Sequence, residues 1–166
     1  MKLRFLKKIA AAAAACVLVF ALASCSSNEP AGGNADVTLD PAALADSLHD
    51  GLTFQDQLTA LEGDAAMGIY SLDNTTVAQL KVYVSTGATA EEIAVIETVG
   101  GDAVKTVQDA MEKRIEDQKA AFENYQPKEM TKLGDPLLET RGKYVILCLS
   151  DDNDAARAII DEAAGA

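Results

Sequence analysis

The sequence contains few of the side chains on which catalytic and metal sites depend. It has one histidine, three cysteines and no tryptophan, and aromatic residues make up only 5% of its 166 residues. An even, spaced set of cysteines is missing, so a disulfide framework is not expected. The scarcity of aromatic rings argues against a sugar-stacking surface. The sequence also lacks a Ser-His-Asp arrangement, a glycine-rich phosphate loop and metal-ligand spacing. We therefore predict no catalytic residue, no metal and no cofactor.

Basic residues are also scarce beyond the N-terminus. Four of the 14 Lys and Arg residues lie before residue 9, and no acidic residue precedes Glu29. Without residues 1–24, the chain keeps 10 basic side chains against 26 acidic ones. This charge repels nucleic acid, because phosphate binding requires clustered Lys and Arg. For the same reason, polybasic binding to a membrane surface is not expected.

The N-terminus has the layout of a secretory signal peptide. A basic segment, residues 1–8, precedes 14 apolar residues from Ile9 to Leu22, and the small residues Ala23 and Ser24 follow. The apolar run is shorter than the ~20 residues that a membrane-spanning helix needs. This layout predicts export from the cytoplasm.

Residues 22–25, Leu-Ala-Ser-Cys, resemble the lipobox of bacterial lipoproteins. The resemblance implies cleavage between Ser24 and Cys25 and a diacylglycerol on the Cys25 thiol. Two acyl chains anchor a protein stably, so we expect a lipid-anchored protein on the outer face of the cell membrane. The alternatives are an uncleaved anchor and an ordinary signal peptide with a chance cysteine.

Three regions follow from these boundaries. Residues 1–24 form the predicted signal peptide. Residues 25–37 are rich in Gly, Ser, Asn and Pro, a composition typical of a flexible tether. Residues 38–166 form one predicted α+β domain.

Hydrophobic periodicity places the elements of this domain. The predicted helices cover residues 41–51, 54–61, 65–70, 102–125 and 154–163. The predicted strands cover residues 80–86 and 92–99 and a hairpin over 137–150 that turns at Arg141-Gly142. The order β-β-α-β-β-α after the first helices predicts a four-stranded antiparallel sheet, covered by helices in a two-layer sandwich.

The longest predicted helix follows an apolar stripe with steps of three and four residues. Its members are Val104, Val107, Met111, Ile115, Gln118, Phe122 and Tyr125. We predict one continuous helix over residues 102–125, ended by Pro127.

Three stretches in this order, behind a lipobox, resemble the domain-of-unknown-function family 4358 of Gram-positive lipoproteins. They are GATAEEIAVIE (87–97), the helical MEKRIEDQK (111–119) that leads to Tyr125-Gln-Pro127, and GKYVILCLSDD (142–152). The resemblance covers about residues 38–163. It implies no activity, and Cys25 is the only functional residue that it carries over.

Two single residues are candidates for chemistry. His49, between Asp46 and Asp50 near a helix end, is either a general base or a surface residue at the helix dipole. We predict the surface role, because no nucleophile is marked nearby. Cys148 is either a nucleophile or a buried thiol, and its apolar strand favours core packing on the face of Tyr144 and Ile146.

Two acidic groups are further candidates. The run Asp151–Asp154 lacks the alternating ligands and the glycine of a calcium loop, so we interpret it as a cap of the last helix, made by Asp151 or Asp152. Glu91 and Glu92 are adjacent at a strand start. Neighbouring residues of a strand point to opposite faces, so we predict that they cannot flank one bond.

Three functions are compatible with this sequence. We favour a protein-interaction or accessory domain at the cell envelope, with an envelope protein as partner. A small-ligand-binding lipoprotein is the alternative. An envelope enzyme ranks last, because it needs Cys148 or His49 in an open cleft. The oligomeric state is left open.

Overall fold

The computed structural model describes residues 37–165. The predicted signal peptide, the predicted lipidation site Cys25 and residues 25–36 of the predicted tether lie outside the described residues. The described residues form an α+β fold around one antiparallel sheet, which confirms the predicted class.

The sheet has five strands rather than the predicted four. They are β1 (Thr59–Leu61), β2 (Val77–Val84), β3 (Glu92–Thr98), β4 (Leu137–Arg141) and β5 (Tyr144–Leu149). Their spatial order is β1-β2-β3-β5-β4, and each pair is antiparallel. Every residue of β3 and β5 is buried, because these two strands have a neighbour on each side and a helical layer on each face.

Five α-helices accompany the sheet. They are α1 (Pro41–Gly51), α2 (Gly63–Gly68), α3 (Gly101–Phe122), α4 (Met130–Gly134) and α5 (Asn153–Ala164), with a 3-10 turn at Pro127–Glu129. Within residues 37–165, none of these helices combines the length and the apolarity needed to cross a membrane.

Helices cover both faces of the sheet, so the predicted two-layer sandwich was wrong. On one face, Ala94 and Ile96 of β3 share a core with Met111 of α3. On the other face, Ile93 and Val95 share a core with α1 and α5. Because alternate residues of β3 are apolar on both faces, each face requires a covering layer.

The predicted helix over residues 54–61 was also wrong. Its apolar residues belong to a loop and to the edge strand β1, which pairs with the end of β2. Phe54 and Leu61 pack on opposite faces of the sheet. Their helical spacing therefore reflects two different cores rather than one helix face.

The long helix is continuous but ends at Phe122, so the prediction that it reaches residue 125 was wrong. Gln126 precedes a proline, which disfavours the helical conformation at that residue. The backbone N–H groups of Tyr125 and Gln126 instead close a turn on the carbonyl of Phe122. The predicted short helix over 65–70 is α2, displaced toward the N-terminus, and the helix α4 was not predicted.

The predicted turn of the hairpin was confirmed, and a side-chain cap is found at the start of α1. Gly142, with φ of +58°, turns the hairpin between β4 and β5. Asp40 caps α1 by accepting hydrogen bonds from the N–H groups of Ala42 and Ala43.

Candidate functional site

Buried charged groups gather at one end of the sheet, where β3 begins and where β2 and β5 end. We name this region the loop end and define it as residues 52–58, 85–91, 123–136 and 150–152. The antiparallel register opposes Glu92 to both Val84 and Leu149, so loops that are distant in sequence meet here. The sheet therefore brings charges from four connecting segments together.

Lys132 of α4 lies at the centre of the first network. Its Nζ is 2.9 Å from Oε1 of Glu91 and 3.3 Å from Oε2 of Glu129. The three side chains are at most 2% exposed. The Nζ also lies 3.5 Å from Oδ1 of Asp151, which is more exposed. One ammonium therefore faces three carboxylates from separate segments of the loop end.

Hydrogen bonds complete the environment of Glu91. Its carboxylate accepts from the backbone N–H groups of Gln55 and Asp56 and from the hydroxyl of Thr89. Burial alone raises the pKa of Glu91, but these donors and Lys132 outweigh it and lower the pKa below 4.5. Burial lowers the pKa of Lys132, but its carboxylate partners, Glu91 foremost, raise it above 10.5. Both groups are therefore charged at neutral pH.

Glu92 belongs to a second network, with α3 and the segment after α2. Arg114 approaches it with Nη2 at 2.7 Å and Nε at 3.1 Å from Oε2. Gln118 Nε2 donates to the same oxygen at 2.8 Å, and the hydroxyl of Tyr70 donates to Oε1 at 2.5 Å. Burial, followed by the charge of Glu92, raises the pKa of Tyr70 well above 10.0. Tyr70 therefore stays protonated and acts as a donor.

The two adjacent glutamates are held by different partners, although both line one cleft, and the prediction that they cannot flank one bond stays a prediction. Glu91 accepts from donors of the 55–56 loop and from Lys132, whereas Glu92 accepts from α3 and Tyr70. Both oxygens of each carboxylate accept hydrogen bonds. A carboxylate engaged in this way binds and positions its neighbours and has little capacity left to accept a proton from a substrate.

A cleft of about 310 Å³ opens beside Glu91 and Glu92. The 85–89 loop and α3 form two of its sides. Apolar side chains of β1, β2 and α3 line it together with Arg114 and Gln118. Its volume lies at the lower end of the range for ligand pockets, about 300–1,000 Å³.

A family described as "Domain of unknown function (DUF4358)" matches residues 52–150. The chain belongs to the DUF4358 family. The match includes Glu91, Glu92, Arg114, Gln118 and Lys132, and thus both networks and most of the loop end. Comparison with curated proteins and with solved structures found no significant match. The family assignment does not extend to Cys25, whose lipidation stays a prediction.

His49 of this DUF4358 chain lies on the surface of α1, in agreement with its predicted role. Its Nδ1 is 3.0 Å from Oδ1 of Asp50, and its ring stacks on Tyr83 with the ring centroids 4.5 Å apart. The hydroxyl of Tyr83 donates to Asp46. The hydrogen bond to Asp46 and, after it, burial raise the pKa of Tyr83 to about 12. His49 is therefore part of a surface cluster and does not line the cleft.

Cys148 is buried in β5 on the face of Tyr144 and Ile146, as the sequence predicted. Burial raises the pKa of its thiol to about 11. The thiolate is the reactive form, so the raised pKa disfavours reaction of this thiol at neutral pH.

The acidic run Asp151–Asp154 caps α5. Oδ1 of Asp152 accepts from the N–H of Ala155 at 2.9 Å, which decides between the two predicted caps. Asp151 accepts from Nε2 of Gln55 and faces Lys132. Across residues 37–165, no group of three or more His, Cys, Asp or Glu side chains has a geometry that could hold a metal ion.

Sequence reasoning did not find the partners of the two glutamates. In the sequence, charged residues of this kind resemble ordinary surface residues. The partners Arg114, Glu129 and Lys132 were missed because a charge pattern does not reveal which loops meet in space. One signal was present: Gln118 interrupts the apolar stripe of α3. A buried amide in such a stripe requires a polar partner, and that partner is Glu92.

Proposed function

We propose that this protein is a lipid-anchored protein-interaction domain on the outer face of the cell membrane, and that its loop end contacts a protein partner. The lipobox-like residues 22–25, with the signal-like segment before them, support the anchor. The arrangement of the loop end supports the interaction.

The observation that carries this proposal is the place where the chain enters the domain. The chain enters the domain through residues 38–40, which lie beside Ala163 near the C-terminal end of α5. The helix α5 begins at the loop end and runs to the other end of the sheet, where Asp161 pairs with Arg141. The described chain therefore enters the domain at the end opposite the loop end, which supports a role of the loop end in contacting a partner.

The loop end also has the properties of a recognition surface. Lys132 and Glu91 fix its segments to one another before any partner arrives, which lowers the entropy cost of binding. Tyr125 is 67% exposed at this end. Exposed tyrosines often contribute much of the energy of protein interfaces.

A second candidate function is the binding of a small ligand. The cleft of about 310 Å³ beside Arg114 and Gln118 favours it. Substitutions at Tyr125 distinguish the two functions, because Tyr125 lies outside the residues that line the cleft. They should weaken the binding of a partner protein but not the binding of a small ligand in the cleft.

The test is crosslinking in cells with the tagged full-length protein, followed by mass spectrometry of the captured proteins. The variants are Tyr125→Glu at the loop end, Val99→Glu as a matched exposed position at the opposite end, and Cys25→Ser. We expect one reproducible partner with the unchanged protein and with Val99→Glu. Its capture is lost with Tyr125→Glu and with Cys25→Ser. Equal capture by Tyr125→Glu and Val99→Glu, or no partner with any variant, contradicts the proposal.

A further inference from the structure

The cleft at the loop end has apolar walls on two sides. Leu61, Ile69 and Val84 line it from the sheet and the segment after α2, and Ala121 and Phe122 line it from α3. Burying an apolar side chain between such walls is favourable, at about 25 cal/mol per Å² of surface removed from water. The cleft is therefore suited to one apolar group of modest size.

Each charged side chain that lines the cleft already has a partner of opposite charge within the protein. Glu92 is paired with Arg114, and Glu91 is paired with Lys132. Asp117 is paired with Lys113, with Nζ and Oδ2 2.6 Å apart. A charged ligand that enters this cleft would lose its hydration without gaining a free counter-ion. This pairing favours an uncharged ligand.

Two side chains of the cleft retain hydrogen-bonding capacity. Arg114 uses Nε and Nη2 for Glu92, and among residues 37–165 its Nη1 has no hydrogen-bond partner. Gln118 turns its Nε2 to Glu92, because a carboxylate only accepts. Its Oε1 likewise has no partner among these residues, and neither free atom is enclosed. The cleft therefore offers a donor and an acceptor one helical turn apart.

A peptide amide complements this pair, because its C=O accepts from a guanidinium and its N–H donates to an amide oxygen. We propose that the cleft receives one apolar residue of the partner protein, with the adjacent uncharged peptide amide bonded to Arg114 Nη1 and Gln118 Oε1. The proposal rests on the proposed function, because it assumes a protein partner. The Phe122 ring, which lines the cleft, lies 6.2 Å from the Tyr125 ring between centroids, so a partner seated on Tyr125 also reaches the cleft.

The test uses three probes that share a leucine side chain and differ in charge. They are N-acetyl-leucinamide (neutral), N-acetyl-leucine (anionic) and leucinamide (cationic). Each is titrated into the 15N-labelled full-length protein in detergent micelles while the side-chain resonances of Gln118 and Arg114 are recorded. We expect saturable shifts with the neutral probe and at least about tenfold weaker binding of the charged probes. No shift with the neutral probe, or stronger binding of a charged probe, overturns the proposal.

Two tryptophan variants locate the binding. Ala121 lines the cleft on an exposed part of α3, and its neighbour Ala120 is exposed but does not line it. We expect Ala121→Trp to weaken the binding of the neutral probe at least about tenfold. Ala120→Trp should leave that binding unchanged. Equal effects of the two variants would show that the probe binds elsewhere.

The two proposals fail in different ways. Absence of a partner in the crosslinking experiment contradicts the interaction function but leaves the probe titration unaffected. A captured partner together with a cleft that does not bind the neutral probe contradicts the cleft proposal alone.

Discussion

A single lysine is the cation of the buried carboxylate network at the loop end. Lys132 faces Glu91 and Glu129, and all three side chains are at most 2% exposed. Buried ion pairs contribute little net stability compared with apolar residues of the same volume, but removal of one partner leaves a costly unpaired charge. Lys132 therefore connects two segments of the loop end through Glu91 and Glu129.

We predict that Lys132→Met destabilises the domain by about 3–5 kcal/mol, because it leaves two buried carboxylates without their cation. The control is Lys113→Met, which removes an exposed i,i+4 pair with Asp117 on α3. That change should cost less than about 0.5 kcal/mol. Urea unfolding of both variants measures the difference. Similar costs for the two variants would contradict the central role of Lys132.

The pH dependence of stability follows from the same groups. The pKa of Glu91 in the folded protein lies below 4.5, its value in the unfolded chain. Its contribution to stability is thus complete above pH 4.5 and is lost as the pH falls through the folded pKa. The pKa of Lys132 in the folded protein lies above 10.5, so its contribution is complete below pH 10.5 and is lost as the pH rises through the folded pKa.

Glu91→Gln isolates the acidic part of this dependence. At pH 7 the variant should be less stable than the unchanged protein, and the difference should shrink as the pH falls below 4.5. Urea unfolding at a series of pH values measures it. A difference that stays constant down to pH 2 would show that the ionised form of Glu91 contributes nothing.

The thiol of Cys148 provides a separate prediction. Burial raises its pKa to about 11, so it should not react with Ellman's reagent at pH 8 while the protein is folded. The measurement uses a Cys16→Ser, Cys25→Ser variant, in which Cys148 is the only thiol. One equivalent should react after denaturation. Rapid reaction of the folded protein would reopen the nucleophile hypothesis.

At the scale of elements, the predictions succeeded where a single local rule decides the structure. The turn at Gly142 follows from the need for positive φ, and the start of α1 follows from the Asp40 cap. The predictions failed where tertiary contacts determine the structure. Strand β1 is only three residues long and exists because it pairs with β2, and the second helical layer follows from the burial of both faces of β3.

The hairpin between β4 and β5 allows a direct test of this distinction. Gly142→Ala should destabilise the domain by about 1–2 kcal/mol, because a Cβ is unfavourable at φ of +58°. Gly134→Ala is the control, since no atom lies within 4 Å of the added Cβ and the residue is in α4. It should be neutral or slightly stabilising. Thermal unfolding of both variants measures the change in stability. An equal loss of stability in the two variants would show that the positive φ at Gly142 does not determine the cost of the substitution.

The candidate site shows the same limit of sequence reasoning. Glu91 and Glu92 were considered, but their cations are 41 and 22 residues distant along the chain, and no local pattern connects them. Gln118 was assigned to the apolar stripe of α3. Its side-chain amide is the one sequence feature of the site that indicated a buried polar partner. The cleft itself is formed by four separate stretches of the chain and has no sequence signature.

At the scale of the whole molecule, the described part of the chain begins at the end of the domain opposite the loop end. The chain enters beside Ala163, and Tyr125 is exposed at the loop end. The excess of acidic residues in the predicted mature chain matters for partner choice, because it favours protein surfaces that are neutral or basic. The proposed function is that such a domain presents one fixed surface, the loop end, to its partner.

The most direct test of that account places a photocrosslinking amino acid, benzoylphenylalanine, at Tyr125 or at Val99 of the full-length protein in living cells. Both positions are exposed, at 67% and 55%, and they lie at opposite ends of the sheet. The account predicts a discrete crosslinked protein from position 125 and none from position 99, with the product lost in a Cys25→Ser background. Crosslinks of equal yield from both positions, or from neither, would contradict it.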